Sequence, residues 1–515
     1  MGESQMQSSL RGWRGVCAAV AVSVLAAAGP TRAQDLASFE KRLTVHTLPN
    51  GYTFLILERP GAPVFSFATR VDVGSAQEVP GITGLAHMFE HMAFKGTPRL
   101  GTTDFAKEEA ALKELEAAYQ AYERARAALK PDQAEIDRLL KAFKEKEAAA
   151  QAFVVPNAFD DAVSREGGVG LNASTSAEAT TYYYSLPTNK FELFAYLESE
   201  RFLHPVFREF YKERDVVMEE RRQRTESQPI GRLIERMLAT AFLAHPYKQP
   251  TVGYMSDLQR FTMTDAERFF RTYYVPANMV TAIVGNVKAA EIIPILDRYF
   301  GRLPKGEKPA PLRTIEPPQT AELTVTLREK SQPFYIEGYH KPSALHPDDA
   351  VYDAIAEILG RGRTSRLYVS LVEKQKVAVQ AQVGGGLPGV KYPHLFLALA
   401  VPARGVSNDK VAEALRAELT RMATEDVTDD ELARFKTRAK ADLIRSLDSN
   451  SGLASQLVTY HTLTGDWRDI FRYIERAEAV TKADIRRVAT EVFKASNRTV
   501  ARLENEAATA TGGTR

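Results

Sequence analysis

The sequence predicts an α+β chain: two homologous mixed α/β domains enclosing a cleft, with a helical-hairpin insertion in the first. Three observations carry this. Strand-like alternation and amphipathic helical stretches are interleaved along the chain. Thr262, Asp265, Arg268 and Asn278 recur at the same mutual spacings as Thr481, Asp484, Arg487 and Asn497, and each set runs through an amphipathic helix into a strand near the end of its half. Between residues 102 and 153 the composition shifts to Ala, Glu, Lys, Leu and Arg.

The elements follow in order. Arg11 and Arg14 precede an apolar run, Val16 to Ala28, too short to span a bilayer, and Thr31-Arg32-Ala33 places small residues before Gln34. Residues 1–33 are therefore expected to be an export signal, with no stable membrane insertion after its removal. The mature chain opens with a hairpin, Leu43–His46 and Tyr52–Leu57 about an Asn50-Gly51 turn, and a strand at Val64 to Val73 follows. Leu112, Leu115, Tyr119 and Tyr122, then Ile136, Leu139, Leu140 and Phe143, keep helical spacing on either side of Lys130-Pro131-Asp132, which predicts two antiparallel helices forming an arm over 102–153. Gly168–Ser174 and Thr180–Leu186 read as paired strands, a long helix runs from about Phe207 to Ser227, and Met279 to Val284 is a strand. The expected domains are 34–302 and 320–505, joined by a proline-rich linker at 303–319 and followed by a flexible tail, 506–515.

A formal net charge of +2 over 515 residues, with Arg221-Arg222-Gln223-Arg224 as the one short basic cluster, argues against nucleic acid as a partner. The single cysteine, Cys17, falls inside the signal, so the mature chain has no thiol for a disulfide, for ligation or for catalysis. An exported, periplasmic protein is expected.

The chemistry concentrates in Gly84-Leu-Ala-His-Met-Phe-Glu-His-Met-Ala-Phe94. On a helix, His87 and His91 lie one turn apart on one face and can share an ion; Glu90 reaches the same face. Two neutral imidazoles suit zinc and leave it Lewis acidic, and a catalytic site needs a third protein ligand with one position open to water. Glu90 could then take a proton from that water and pass it to a leaving amine. A second acidic helix, Tyr211 to Arg221, offers Glu213, Glu219 and Glu220 as third ligand, and spacing alone does not choose among them. The plainer alternative is a pair of solvated helices held by Leu85, Met88 and Met92.

At this point the chain resembles the pitrilysin family of zinc metallopeptidases, whose motif is His-x-x-Glu-His, and most resembles the mitochondrial processing peptidase beta subunit with its bacterial periplasmic relatives. The stretches that carry the likeness are 81–97, 170–183, 213–229, 245–247, 278–287 and 359–374, nearly the whole mature chain apart from the arm. The resemblance implies a zinc-dependent endopeptidase, with His87, His91 and Glu220 as zinc ligands, Glu90 as general base and Glu213 as a carboxylate orienting a ligand or the water. It also implies that Asn172 and Ala173 lie on an edge strand that pairs with the backbone of an extended peptide. The spacing from His91 to Glu220 is longer than is usual in the family, and residues 102–153 supply the excess. GRGRTSR at 360–366 and its flanks fits the family better than a phosphate loop, since Gly-Lys-Ser/Thr is missing.

One departure bears on function. The family's complementary half carries an arginine and, seven residues later, a tyrosine that touch substrate; here Val372 and Val379 occupy those places. In two-subunit members the zinc site and the Arg/Tyr pair lie on different chains, so a homologous partner supplying Arg and Tyr is expected. The competing readings are a non-catalytic peptide-binding or scaffold subunit, which the two valines favour, and an amino-sugar or lipid-amide hydrolase using the same zinc chemistry, which the peptide-edge strand disfavours.

Overall fold

Segments rich in Val, Ile, Thr and aromatic residues pair into two mixed sheets in the computed structural model, which describes residues 36–506. The export-signal segment and residues 507–515 of the tail lie outside the described residues. The first sheet contains β1 (Leu43–Thr47), β2 (Thr53–Glu58), β3 (Val64–Val71), β4 (Val169–Thr175), β5 (Thr180–Pro187) and β6 (Met279–Gly285), ordered β1-β2-β6-β3-β5-β4. The second contains β7 (Leu323–Glu329), β8 (Phe334–Lys341), β9 (Ala378–Leu387), β10 (His394–Pro402) and β11 (Arg498–Asn505), ordered β7-β11-β8-β10-β9. In each, the last strand in sequence enters the interior of the sheet. β6 is parallel to β2 and antiparallel to β3; β11 is parallel to β7 and antiparallel to β8. The two sheets share one plan, with β1 added to the first.

The repeat seen in the sequence has a physical content. Thr262 and Thr481 each cap a helix in a reciprocal box with Asp265 and Asp484. Asn278 and Asn497 each donate to a carbonyl five residues back and to a second carbonyl across the fold, that of Asp72 and of His340. The same side chains thus close the same helix-to-strand corner twice.

Each half lends a helix to the other. Pro229–Ala241 packs on β7 and β11, while Asn450–Thr464 packs on β3 and β6. The buried Glu178 carboxylate, on the β4–β5 turn, accepts the Tyr247 hydroxyl and the backbone N–H groups of Val390 and Lys391, at 2.6 and 2.5 Å from the latter two. Lys391 Nζ meets both oxygens of Asp72 at 2.7 and 2.8 Å. Between Phe300 and Leu323 the chain has no regular helix or strand.

The helical hairpin is formed by Phe105–Arg126 and Gln133–Gln151, started by Asp104 and Asp132, whose side chains accept the backbone N–H of Lys107 and Ala134. It seats on the helix Phe210–Arg221 through aromatic rings: Tyr119 lies 4.2 Å from Tyr211 and 5.1 Å from Phe143 between centroids. Arg208 anchors its base from a fully buried position, pairing with Glu108 at 2.5 and 2.8 Å. The expected long helix near 207–227 is α-helical only over Phe210–Arg221; Arg222–Glu226 widens into a π turn. Among the described residues no helix is long and apolar enough to cross a membrane.

Candidate metal centre

The helix Leu85–Met92 is held rigidly from its first turn. Gly84 takes a left-handed φ of 98°, and a side chain there would meet Leu258 and the Val252 carbonyl at 2.8 Å. The buried Glu78 carboxylate accepts the N–H groups of Gly84 and Ala86, both at 2.7 Å, so an acidic group covers the positive end of the helix. Burial nevertheless pushes its pKa up to about 8, against the pull of those two N–H groups. Leu85, Ala86, Met88, Phe89 and Met92 face the core. What remains of the helix surface is His87, Glu90 and His91.

The structure brings His87, His91 and Glu220 together, and they form the group of potential metal ligands found among the described residues, with ligand atoms within 4.8 Å of one another. The two imidazole rings stand 4.9 Å apart at 84°. Glu220 Oε2 is 3.6 Å from Nε2 of His87 and 3.6 Å from Nε2 of His91. These separations are too long for hydrogen bonds. They are close to the roughly 3.4 Å expected between tetrahedral ligand atoms placed about 2.1 Å from a zinc ion. The residues therefore fit zinc: two nitrogens and one carboxylate oxygen surround a point rather than bond one another. Burial, then the neighbouring His91 and Arg224, push the His87 pKa down to about 3, which keeps its imidazole neutral and able to ligate.

Glu213 stands behind His91, its Oε2 3.3 Å from Nδ1 of the ring. A proton on Nδ1 leaves Nε2 with its lone pair toward Glu220, the tautomer a ligand requires. Burial alone would raise the Glu213 pKa, but the contacts from His91 and Lys95 outweigh it and hold the carboxyl below its ordinary value. At Glu90 the balance falls the other way. Burial raises its pKa, and the Thr175 hydroxyl is the largest opposing influence.

Asn172 and Ala173 lie on β4, which pairs with β5 alone and forms the open edge of the first sheet, beside the histidine helix. Asn172 is exposed, and its side-chain oxygen accepts the Ala173 N–H at 2.8 Å. Val372 and Val379 lie in the other half, on the π turn Tyr368–Lys374 and on the edge strand β9. Sequence reasoning missed Lys95, which pairs with Glu213, and Arg224, which pairs with Glu220 Oε1. Both follow a candidate ligand by four residues, one helical turn, and that spacing is the signal that could have found them.

The profile of the insulinase family, peptidase family M16, matches residues 53–153 and 154–254. That of the peptidase M16 inactive domain matches 260–439. The chain belongs to the M16 peptidase family. This M16 chain is 30% identical over 442 residues to the zinc protease PqqE of Helicobacter pylori, covering 84% of the chain and 86% of that relative. The probable mitochondrial-processing peptidase subunit beta of Arabidopsis thaliana is 24% identical over 471 residues, covering 88% of the chain and 77% of the plant protein. The crystal structure of a protease from Helicobacter pylori matches with a TM-score of 0.74 at 28% identity, covering 90% of this M16 chain and 99% of that one. The matched stretches include both helices of the candidate centre.

Proposed function

We propose that this chain is the zinc-bearing subunit of an endopeptidase that hydrolyses internal bonds of extended peptides in the periplasm. The observation that carries the reading is the convergence of His87 Nε2, His91 Nε2 and Glu220 Oε2, with Glu213 behind His91. His87, His91 and Glu220 would hold the ion and Glu213 would orient His91. Bound zinc would supply Lewis acidity toward a peptide carbonyl and lower the pKa of water. Glu90, on the same helix face and not needed as a ligand, takes the proton from the attacking water and delivers it to the leaving amine. Burial raises its proton affinity toward the range useful for both steps.

Substrate enters as an added strand. The edge of β4 offers backbone groups to any extended peptide, and the Ala173 N–H exchanges the Asn172 side-chain oxygen for a substrate carbonyl. Residues 34–302 are taken as the zinc-bearing domain, with 102–153 inserted in it, 303–319 as the connection and 320–505 as its homologue. The signal-like residues 1–33 support export.

Catalysis by this reading needs a homologous partner chain that brings an arginine and a tyrosine, because Val372 and Val379 can donate no side-chain hydrogen bond. The same two valines favour a second reading, a non-catalytic peptide-binding subunit. Hydrolysis of a mixed quenched-fluorescent peptide library by the assembled complex separates the two. The proposed function predicts that a chelator abolishes cleavage, that zinc restores it, and that Glu90→Gln abolishes it with zinc retained. Full activity of Glu90→Gln in the complex overturns it in favour of the second reading.

A further inference from the structure

The metal-site residues account for Glu213 but leave its other oxygen unexplained. That oxygen is held by Lys95, four residues after His91 and just beyond the end of the histidine helix. The same ammonium also reaches Glu209 Oε2 at 3.1 Å. Glu209 in turn accepts Gln151 Nε2 at 3.1 Å on its Oε1, and Gln151 is the last residue of the second hairpin helix. One chain of polar contacts therefore runs from the root of the hairpin to the zinc-ligand candidate: Gln151, Glu209, Lys95, Glu213, His91.

Three features make this chain more than a surface decoration. The side chains of Glu209, Glu213 and Lys95 are only 7%, 13% and 19% exposed, so water screens their charges poorly. The Lys95 backbone is fixed as well: the buried Arg208 guanidinium donates to its carbonyl and to those of Leu100 and Thr97, while pairing with Glu108 of the first hairpin helix. Glu209 sits at a left-handed φ of 58°, a costly conformation for a glutamate, at the start of the helix that carries Glu213 and Glu220. Lys212 also contacts Glu209, at 2.6 Å, but lies 60% exposed and does not approach Glu213 within ion-pair distance.

We propose that Lys95 is a positioning residue for zinc binding, and that through Glu209 and Gln151 it makes the root of the helical hairpin part of the metal site's support. Two carboxylates converge on one ammonium. Without it they face each other across poorly screened space and separate. Glu213 is the one that moves, because its other contact is the single 3.3 Å bond to His91, and His91 then loses the partner that sets its ring orientation. The hairpin, otherwise a packing element, acquires an influence on the affinity of the site. This rests on His87, His91 and Glu220 binding zinc.

The test is the zinc affinity of the full chain, measured by competition with a chromogenic chelator, with thermal unfolding recorded alongside. Lys95→Met is expected to weaken zinc binding by about 10- to 100-fold, the range found when partners of metal ligands are removed. Lys95→Met combined with Glu209→Gln, which removes the repulsion, is expected to recover most of that loss; a merely structural role for Lys95 predicts no recovery. Gln151→Ala, at an exposed position, carries the test where Lys95→Met does not fold, and is expected to weaken binding by a few fold. Tight zinc binding by the wild type with affinity unchanged within twofold in Lys95→Met and Gln151→Ala overturns the proposal and leaves the metal site standing. No zinc binding by the wild type overturns both.

Discussion

Glu220 presents one carboxylate oxygen to His87 at 3.6 Å while its other oxygen pairs with Arg224. The division of labour between the two oxygens leaves a single one for an ion. Glu220→Ala removes one of the three candidate ligands and is expected to weaken zinc binding by well over about 100-fold, more than the loss of an orienting partner costs. Chelator competition on the folded chain measures it.

The base of the hairpin rests on a buried pair. Arg208 and Glu108 are each 1% exposed. Arg208→Met strands the Glu108 carboxylate and frees the carbonyls after the histidine helix, for an expected loss of about 3–5 kcal/mol. Replacing both partners by apolar residues of similar size should cost less, since no charge is left alone. Urea unfolding of the two variants against the wild type checks the order.

Glu178 ties the two halves together. Glu178→Ala leaves two backbone N–H groups and the Tyr247 hydroxyl without their acceptor in a buried place, and about 2–4 kcal/mol of stability is expected to go with it. Denaturant midpoints measure the loss.

Acid should weaken the fold through His394. It is fully buried on β10, its Nδ1 2.9 Å from the Tyr392 carbonyl oxygen, and burial, with Lys341 adding to it, pushes its pKa down to about 4. Burial also lowers the pKa of His245 and of His340. Between about pH 6.5 and 4 the unfolded chain binds a proton at His394 that the folded chain refuses. The folded state is thus favoured fully above about 6.5 and loses stability as the pH falls toward 4, by on the order of 3 kcal/mol for His394 alone. Unfolding of metal-free protein across that window, compared with His394→Gln, tests the sign: the variant should lose less on acidification.

Much of this was legible in the sequence because it is local or periodic. The His-x-x-Glu-His helix, the Asn50-Gly51 hairpin, the two arm helices around Lys130-Pro131-Asp132 and the repeated Thr…Asp…Asn corners all follow from spacing along one element. Choosing Glu220 over Glu213 and Glu219 needed the family resemblance, since a charged helix does not announce which carboxylate points inward. In the fold, Glu219 pairs instead with Arg222 and Gln223. The Glu178 latch joins residues more than 200 positions apart, and the exchange of helices between the halves depends on contacts with strands far away along the chain. No local pattern encodes either. The helix near 207–227 read as longer than its α-helical part because a π turn keeps the amphipathic sequence while changing the hydrogen bonding.

The central claim is that His87, His91 and Glu220 hold a metal ion that Glu90 serves without binding it. Zinc content per chain, measured on purified wild type, Glu90→Gln and His91→Ala after dialysis, addresses it directly. The account predicts about one zinc in the first two and none in the third. Zinc-free wild type, or equal zinc in all three, would contradict it.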